Sequence, residues 1–212
     1  MVEDYRNTKY CPVLSNLLRK KQNVKNEVLK VHPKAKDMHT YLSDNQTCLK
    51  KLFANAYNWK CAYCGVSVAI IPMRLFEIDH LIPKESARFC GSKTNAGRIE
   101  NLVLSCSYCN RAKSRFECSE ENLTKIHPDT TEILKSFVRD GMYYIRIRDD
   151  RQKDTTIRAF YEKVKLGSQL HRIDYLLMNM LGLCNYMEGK GCSCESLRKA
   201  IELLKTKRNV MG

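Results

Sequence analysis

The sequence predicts an α+β, mainly helical protein built around a short cysteine-rich centre. Three observations carry this. Apolar residues recur at three- and four-residue intervals through the first and last thirds of the chain. Between residues 59 and 118, short apolar runs alternate with turn residues instead. Two Cys-x-x-Cys pairs, Cys61/Cys64 and Cys106/Cys109, bracket that centre. The expected division is a basic helical region over 1–58, a compact core over 59–118 and a mostly helical subdomain over 119–212.

The elements follow in order. A helix over 12–31 rests on Val13, Leu14, Leu17, Leu18, Val24, Val28 and Val31, and Pro33 ends it. A second, capped by Ser43 or Asp44, runs to about Trp59 on a stripe of Leu49, Leu52, Phe53, Ala56 and Tyr57. Strands are expected over 74–79 and 101–104, then a helix from Ser105 or Cys106 to about Phe116. Helical texture returns after Glu120. His127-Pro128-Asp129 reads as a helix start, with proline in the first turn, and Asp140-Gly141 as its close. Residues 142–148 alternate as a short strand or hairpin. Helices over 155–166, 169–187 and 196–207 complete the chain, the first stopped by Gly167.

Charge narrows the partner. Of 212 residues, 37 are Lys or Arg against 23 Asp or Glu, a net charge of +14. Such an excess favours a polyanion, nucleic acid before an acidic membrane. The first 60 residues hold 12 basic and 5 acidic side chains, including Arg19, Lys20, Lys21, Lys25, Lys30, Lys34 and Lys36. That run is either a solvated helix face or a nucleic-acid-facing arm. The uncharged run over 65–73 is too short to span a bilayer and contains a proline. The start MVEDYRNTKY has no apolar signal region, so a soluble, cytoplasmic protein is expected. Eleven cysteines, an odd number, then favour metal binding over a disulfide framework.

The paired cysteines supply four soft ligands, two per half of a tetrahedron, and a cage so closed is structural zinc chemistry. Beside them stand Asp79-His80 in EIDHLIPK, Asn101 in NLVLSC, and Asn110 and Lys113 in CSYCNRAKS. On a helix, Asn110 and Lys113 share a face. A neutral imidazole can activate water near pH 7, and a divalent ion can neutralise a phosphate and a leaving oxygen.

Taken together, Cys61-x-x-Cys64, Asp79-His80, Asn101, Cys106-x-x-Cys109-Asn110 and Lys113 resemble the HNH endonuclease family over about residues 59–116. The resemblance implies a ββα-metal core with a structural zinc site, flanked by N- and C-terminal helices. It implies His80 as general base, Asp79 and Asn110 as ligands of a catalytic Mg²⁺ or Mn²⁺, and Asn101 holding the hairpin loop and orienting His80. Asn110 departs from the family pattern, where many members have histidine. It is similar in this to the HNH domain of RNA-guided CRISPR nucleases, and an oxygen ligand suits a hard cation. Lys113, Lys84 and Arg111 are the expected nucleic-acid contacts, and Arg88, Lys93 and Arg98 of the loop that holds Lys84 either contact the nucleic-acid backbone or are simply solvated.

The flanks more loosely resemble the nuclease subunits of Septu-type antiphage defence systems, which implies an SMC/ABC-like ATPase partner for the helix around 173–183. On its stripe alone that helix reads as ordinary core. DNA is the favoured substrate. An RNA- or tRNA-cleaving effector shares the same chemistry, and a zinc-stabilised binding or adaptor module without turnover is the alternative of another class. His32, His39, His127 and His171 have no matching partners and read as capping, packing or exposed residues. Cys184, Cys192 and Cys194 read as thiols of the terminal helices before a second metal site, and Cys11, Cys48, Cys90 and Cys118 as buried or free thiols.

Overall fold

The computed structural model describes residues 3–44 and 48–211. Helix α1 (Leu17–Val31) starts five residues later than expected, because Asn16 adopts a left-handed conformation (φ 52°) that breaks the helical run before it. A five-residue helix α2 (Met38–Leu42) follows, started by Asp37, whose carboxylate accepts from the His39 amide. The helix expected from Ser43 or Asp44 to Trp59 is observed as α3 (Cys48–Ala56), with residues 45–47 of that expectation outside the described residues, and α2 before it was not expected. Two consecutive left-handed residues, Asn58 (φ 49°) and Trp59 (φ 59°), turn the chain out of α3 and into the cysteine-rich centre.

There the chain forms a tight knuckle. Lys60 bridges Ser67, and between them the Cys61 amide donates to Val66 and the Gly65 amide to Cys61. Gly65 sits at φ +81°, and a Cβ there would lie 2.5 Å from the Arg6 carbonyl oxygen, so both conformation and packing require glycine. Strand β1 (Phe76–His80) pairs antiparallel with β2 (Leu102–Cys106), with Phe76 opposite Cys106 and His80 opposite Leu102. The connection carries a four-residue helix, α4 (Lys93–Ala96). All five residues of β2 are buried, since the knuckle covers it as well: the Ala62 amide donates to Leu104 at 2.8 Å. Helix α5 (Ser107–Lys113) completes the ββα unit and ends three residues short of Phe116, because Ser114 has φ 49° and ψ −128°.

A short α6 (Glu120–Leu123) comes next. The helix expected between His127 and Gly141 is absent. A 3₁₀ turn over Thr131–Lys135 leads into β3 (Phe137–Arg139), which pairs antiparallel with β4 (Ile145–Ile147). The reason lies in Asp129. Its carboxylate is not a helix cap; it accepts from Lys21 Nζ at 2.5 Å and from the Tyr57 hydroxyl at 2.7 Å, in the interior. Helices α7 (Thr155–Val164), α8 (Gln169–Glu188) and α9 (Glu195–Met211) follow close to expectation, α7 capped by Asp154 and α8 by Ser168. One apolar core runs from Tyr5 to Leu166 through Phe53, Phe76, Phe137 and Phe160, so residues of all three expected segments share it. A smaller cluster forms between α8 and α9. No helix among the described residues is long and apolar enough to cross a membrane.

Candidate active site

The four paired cysteines meet where knuckle, β2 and α5 join. Cys61, Cys64, Cys106 and Cys109 are buried, with all four sulfurs within 4.8 Å of one another and Cys64 and Cys106 3.9 Å apart. A tetrahedron with zinc–sulfur bonds of about 2.3 Å needs sulfurs roughly 3.8 Å apart, so the set fits zinc. Burial pushes the Cys64 and Cys109 thiols up, whereas at Cys61 hydrogen bonds from the other three cysteines outweigh burial and hold the thiol well down. The N-terminal segment clamps this knuckle: Tyr5 donates to the Tyr63 carbonyl and Arg6 to the Ala62 and Pro128 carbonyls, each at 2.7 Å.

The ββα unit places Asp79, His80 and Asn110 on the wall of one open cleft of about 690 Å³. Asp79 is buried and partnered. The Tyr63 hydroxyl donates to one oxygen at 2.6 Å, and Lys113 Nζ lies 3.3 Å from the other. Desolvation by burial, against the pull of Lys113, raises its carboxyl to about 6. Asn110 donates its amide nitrogen to the Glu77 carboxylate at 2.5 Å. Burial, aided by the neighbouring His39, holds the His80 imidazole at about 4, so it is neutral across the neutral range.

Three elements fix His80. Lys113 Nζ donates to the His80 carbonyl at 2.9 Å and lies 3.4 Å from the Leu81 carbonyl. Asn101, away from the cleft, pins the loop after it: its side chain accepts from the Ile82 amide and donates to the Ile82 and Ala96 carbonyls, at 2.8 to 3.0 Å. His39 stacks on the His80 ring and contacts the Ile78 carbonyl through Nε2 at 3.2 Å.

The expected nucleic-acid contacts separate. Lys84 is exposed and lines the cleft. Arg111 is exposed on the other side of α5, 3.9 Å from Glu77, in a groove it shares with His171 and Arg208. Lys113 is 1% exposed, so the phosphate contact expected of it is corrected to an interior tie between α5 and β1. Of the loop cations, Lys93 joins Lys84 in the cleft, Arg98 lines a neighbouring groove with Lys25 and Lys36, and Arg88 turns to the Cys118 carbonyl. Sequence reasoning missed Asp37, His39 and Arg115, which also line the cleft, and Tyr63, which ties the zinc knuckle to Asp79. His39 came closest to a signal, as a histidine without an evident partner. His171 likewise lies against the cage, its Nε2 3.6 Å from the Cys109 sulfur.

A hairpin and helix joined at four cysteines, with a carboxylate, an imidazole and an amide in one cleft, form a ββα module. Residues 61–116 match the family model described as HNH endonuclease, and this segment is an HNH endonuclease domain. No curated protein and no solved structure matches the chain.

Proposed function

We propose that the protein is a metal-dependent HNH endonuclease that hydrolyses phosphodiester bonds, with DNA as the favoured substrate. The observation that carries this is the convergence of Asp79, His80 and Asn110 on one cleft whose rim bears Lys84, Lys93 and Arg115. Asp79 and the Asn110 oxygen are the atoms that would hold Mg²⁺ or Mn²⁺, an oxygen set suited to a hard cation. Bound there, the ion supplies charge neutralisation at the phosphate and the leaving oxygen. His80, neutral and held by Lys113, Asn101 and His39, takes the proton of the attacking water. The cleft's cations draw the polyanion in and orient its backbone. The nucleophile is water for either nucleic acid, so the preference for DNA rests on the HNH resemblance alone. A cytoplasmic antiphage role beside an SMC/ABC-like ATPase rests on the looser resemblance of the flanks.

A second reading has one observation in its favour. Both Asp79 oxygens are already engaged, by Tyr63 and Lys113, as they would be in a zinc-stabilised binding or adaptor module without turnover. Incubation with supercoiled plasmid, single-stranded DNA and total tRNA, each with Mg²⁺ or Mn²⁺, tests both. The nuclease reading predicts cleavage of at least one, with DNA first. Binding to all three without cleavage in either metal, with zinc and fold intact, favours the module.

A further inference from the structure

Helix α9 poses a packing problem. Of its seventeen residues it buries only Ile201, while Leu203 and Val210 are 75% and 84% exposed. A helix of that length gains most of its stability from tertiary contacts. The apolar cluster between α8 and α9 has five buried residues, Ile173, Leu177, Cys184, Cys194 and Ile201, with Leu197 and Leu204 of α9 only partly buried against it. A covalent or metal staple is the usual supplement where a small fold has too little core.

The same cluster contains the means. Cys184 and Glu188 lie one turn apart on α8 and face the same way. The chain reverses through Gly191 (φ +76°), the Cys192 amide donates to Met187 at 3.0 Å, and Cys194 arrives beside Cys184 just before α9 begins. The two sulfurs and a Glu188 oxygen all lie within 4.8 Å of one another, and the Cys184 sulfur is 3.4 Å from Glu188 Oε1. Both cysteines are buried, whereas Cys192 is exposed at the mouth of the turn. Arg198 holds Glu188 Oε1 from Nε at 2.9 Å and Nη2 at 2.5 Å, as an outer partner fixes a ligating carboxylate.

We propose that Cys184, Glu188 and Cys194 form a second zinc site, separate from the four-cysteine cage, that staples α9 to α8. Binding converts two thiols to thiolates and releases two protons. Two thiolates and a carboxylate leave the zinc centre with one net negative charge, which the Arg198 guanidinium balances. The ligand set is mixed sulfur and oxygen, compatible with zinc and with cobalt or cadmium substitution.

The test is the zinc content of the full chain, loaded in a thiol reductant and desalted, beside Cys184→Ser/Cys194→Ser. The expected result is two zinc ions per chain in the wild type and one in the variant. In cadmium-substituted wild type, ¹¹³Cd spectra should show two resonances, the second at the lower shift of a mixed sulfur–oxygen set. This second measurement needs no variant to fold. One zinc and one cadmium resonance in the wild type would overturn the proposal. So would a variant that keeps both ions, or non-reduced wild type lighter by two hydrogens with Cys184 and Cys194 in linked peptides.

Discussion

The imidazole of His39 stacks on that of His80, with ring centroids 4.3 Å apart and planes inclined by 30°. Helix α2, outside the segment matched as an HNH domain, thus supplies part of the wall against which the proposed base is held. On the proposed mechanism His39 would be a positioning residue, since it touches the His80 ring and, through Nε2, the edge of β1 at Ile78. His39→Ala should lower kcat about tenfold, or about 1.4 kcal/mol, by loosening that placement, while KM changes little. His39→Phe keeps a stacking ring and should recover part of the loss. Single-turnover cleavage at saturating substrate reads both; a change confined to KM would make His39 a substrate contact instead.

Lys113 and the rim cations should behave oppositely. Lys113→Met leaves buried Asp79 without its ion-pair partner, a loss of about 3 to 5 kcal/mol of stability, yet it should leave the salt dependence of nucleic-acid binding unchanged. The triple change Lys84→Ala, Lys93→Ala and Arg115→Ala should melt like the wild type. It should lower the slope of log K against log salt by about 2 to 3. Thermal melts and binding isotherms over a range of salt concentrations separate the two behaviours.

Removing zinc should reach the reaction centre as well as the fold. Cys106→Ser opens the four-sulfur cage, and at several kcal/mol of lost folding energy the melting temperature should fall by about 10 °C or more. Tyr63 lies inside the knuckle and donates to Asp79, so cleavage should also decline below the melting transition. Zinc content, melting and activity measured on the same preparation test this; native melting without zinc would contradict it.

Proton and metal should compete at Asp79. The carboxyl must be ionised to hold a cation and is held up at about 6, whereas His80 must be neutral and is held down at about 4. As pH falls, the carboxylate is therefore lost before the base is protonated. At low Mg²⁺, activity should fall below about pH 6; raising Mg²⁺ should move that limb toward lower pH, until His80 protonation sets the limit. Activity profiles at several Mg²⁺ concentrations check it, and an acid limb that ignores Mg²⁺ would remove Asp79 from the metal.

The parts legible in the sequence were those with local spacing. The two cysteine pairs, Asp79-His80 on β1, and Asn101 ahead of β2 lie within short strings whose neighbours define the element. Asn110 and Lys113 do share a face, but it is the face turned to β1, which spacing alone does not fix; hence Lys113 is interior. His39 and Tyr63 reach the site across 41 and 16 residues of chain, contacts that no local pattern announces. Helix α2 is too short for periodicity to reveal. The helix wrongly expected after His127 is absent where Lys21 and Tyr57, distant in sequence, hold the Asp129 carboxylate in the interior.

The role proposed for His80 is that of the base of a phosphodiesterase. The most direct measurement is Mg²⁺-dependent conversion of supercoiled plasmid to nicked and linear forms by wild type and His80→Ala, with plasmid binding measured in parallel. The expected result is cleavage by the wild type, a loss of at least about a hundredfold in the variant, and unchanged binding. A variant that cuts at the wild-type rate would contradict it.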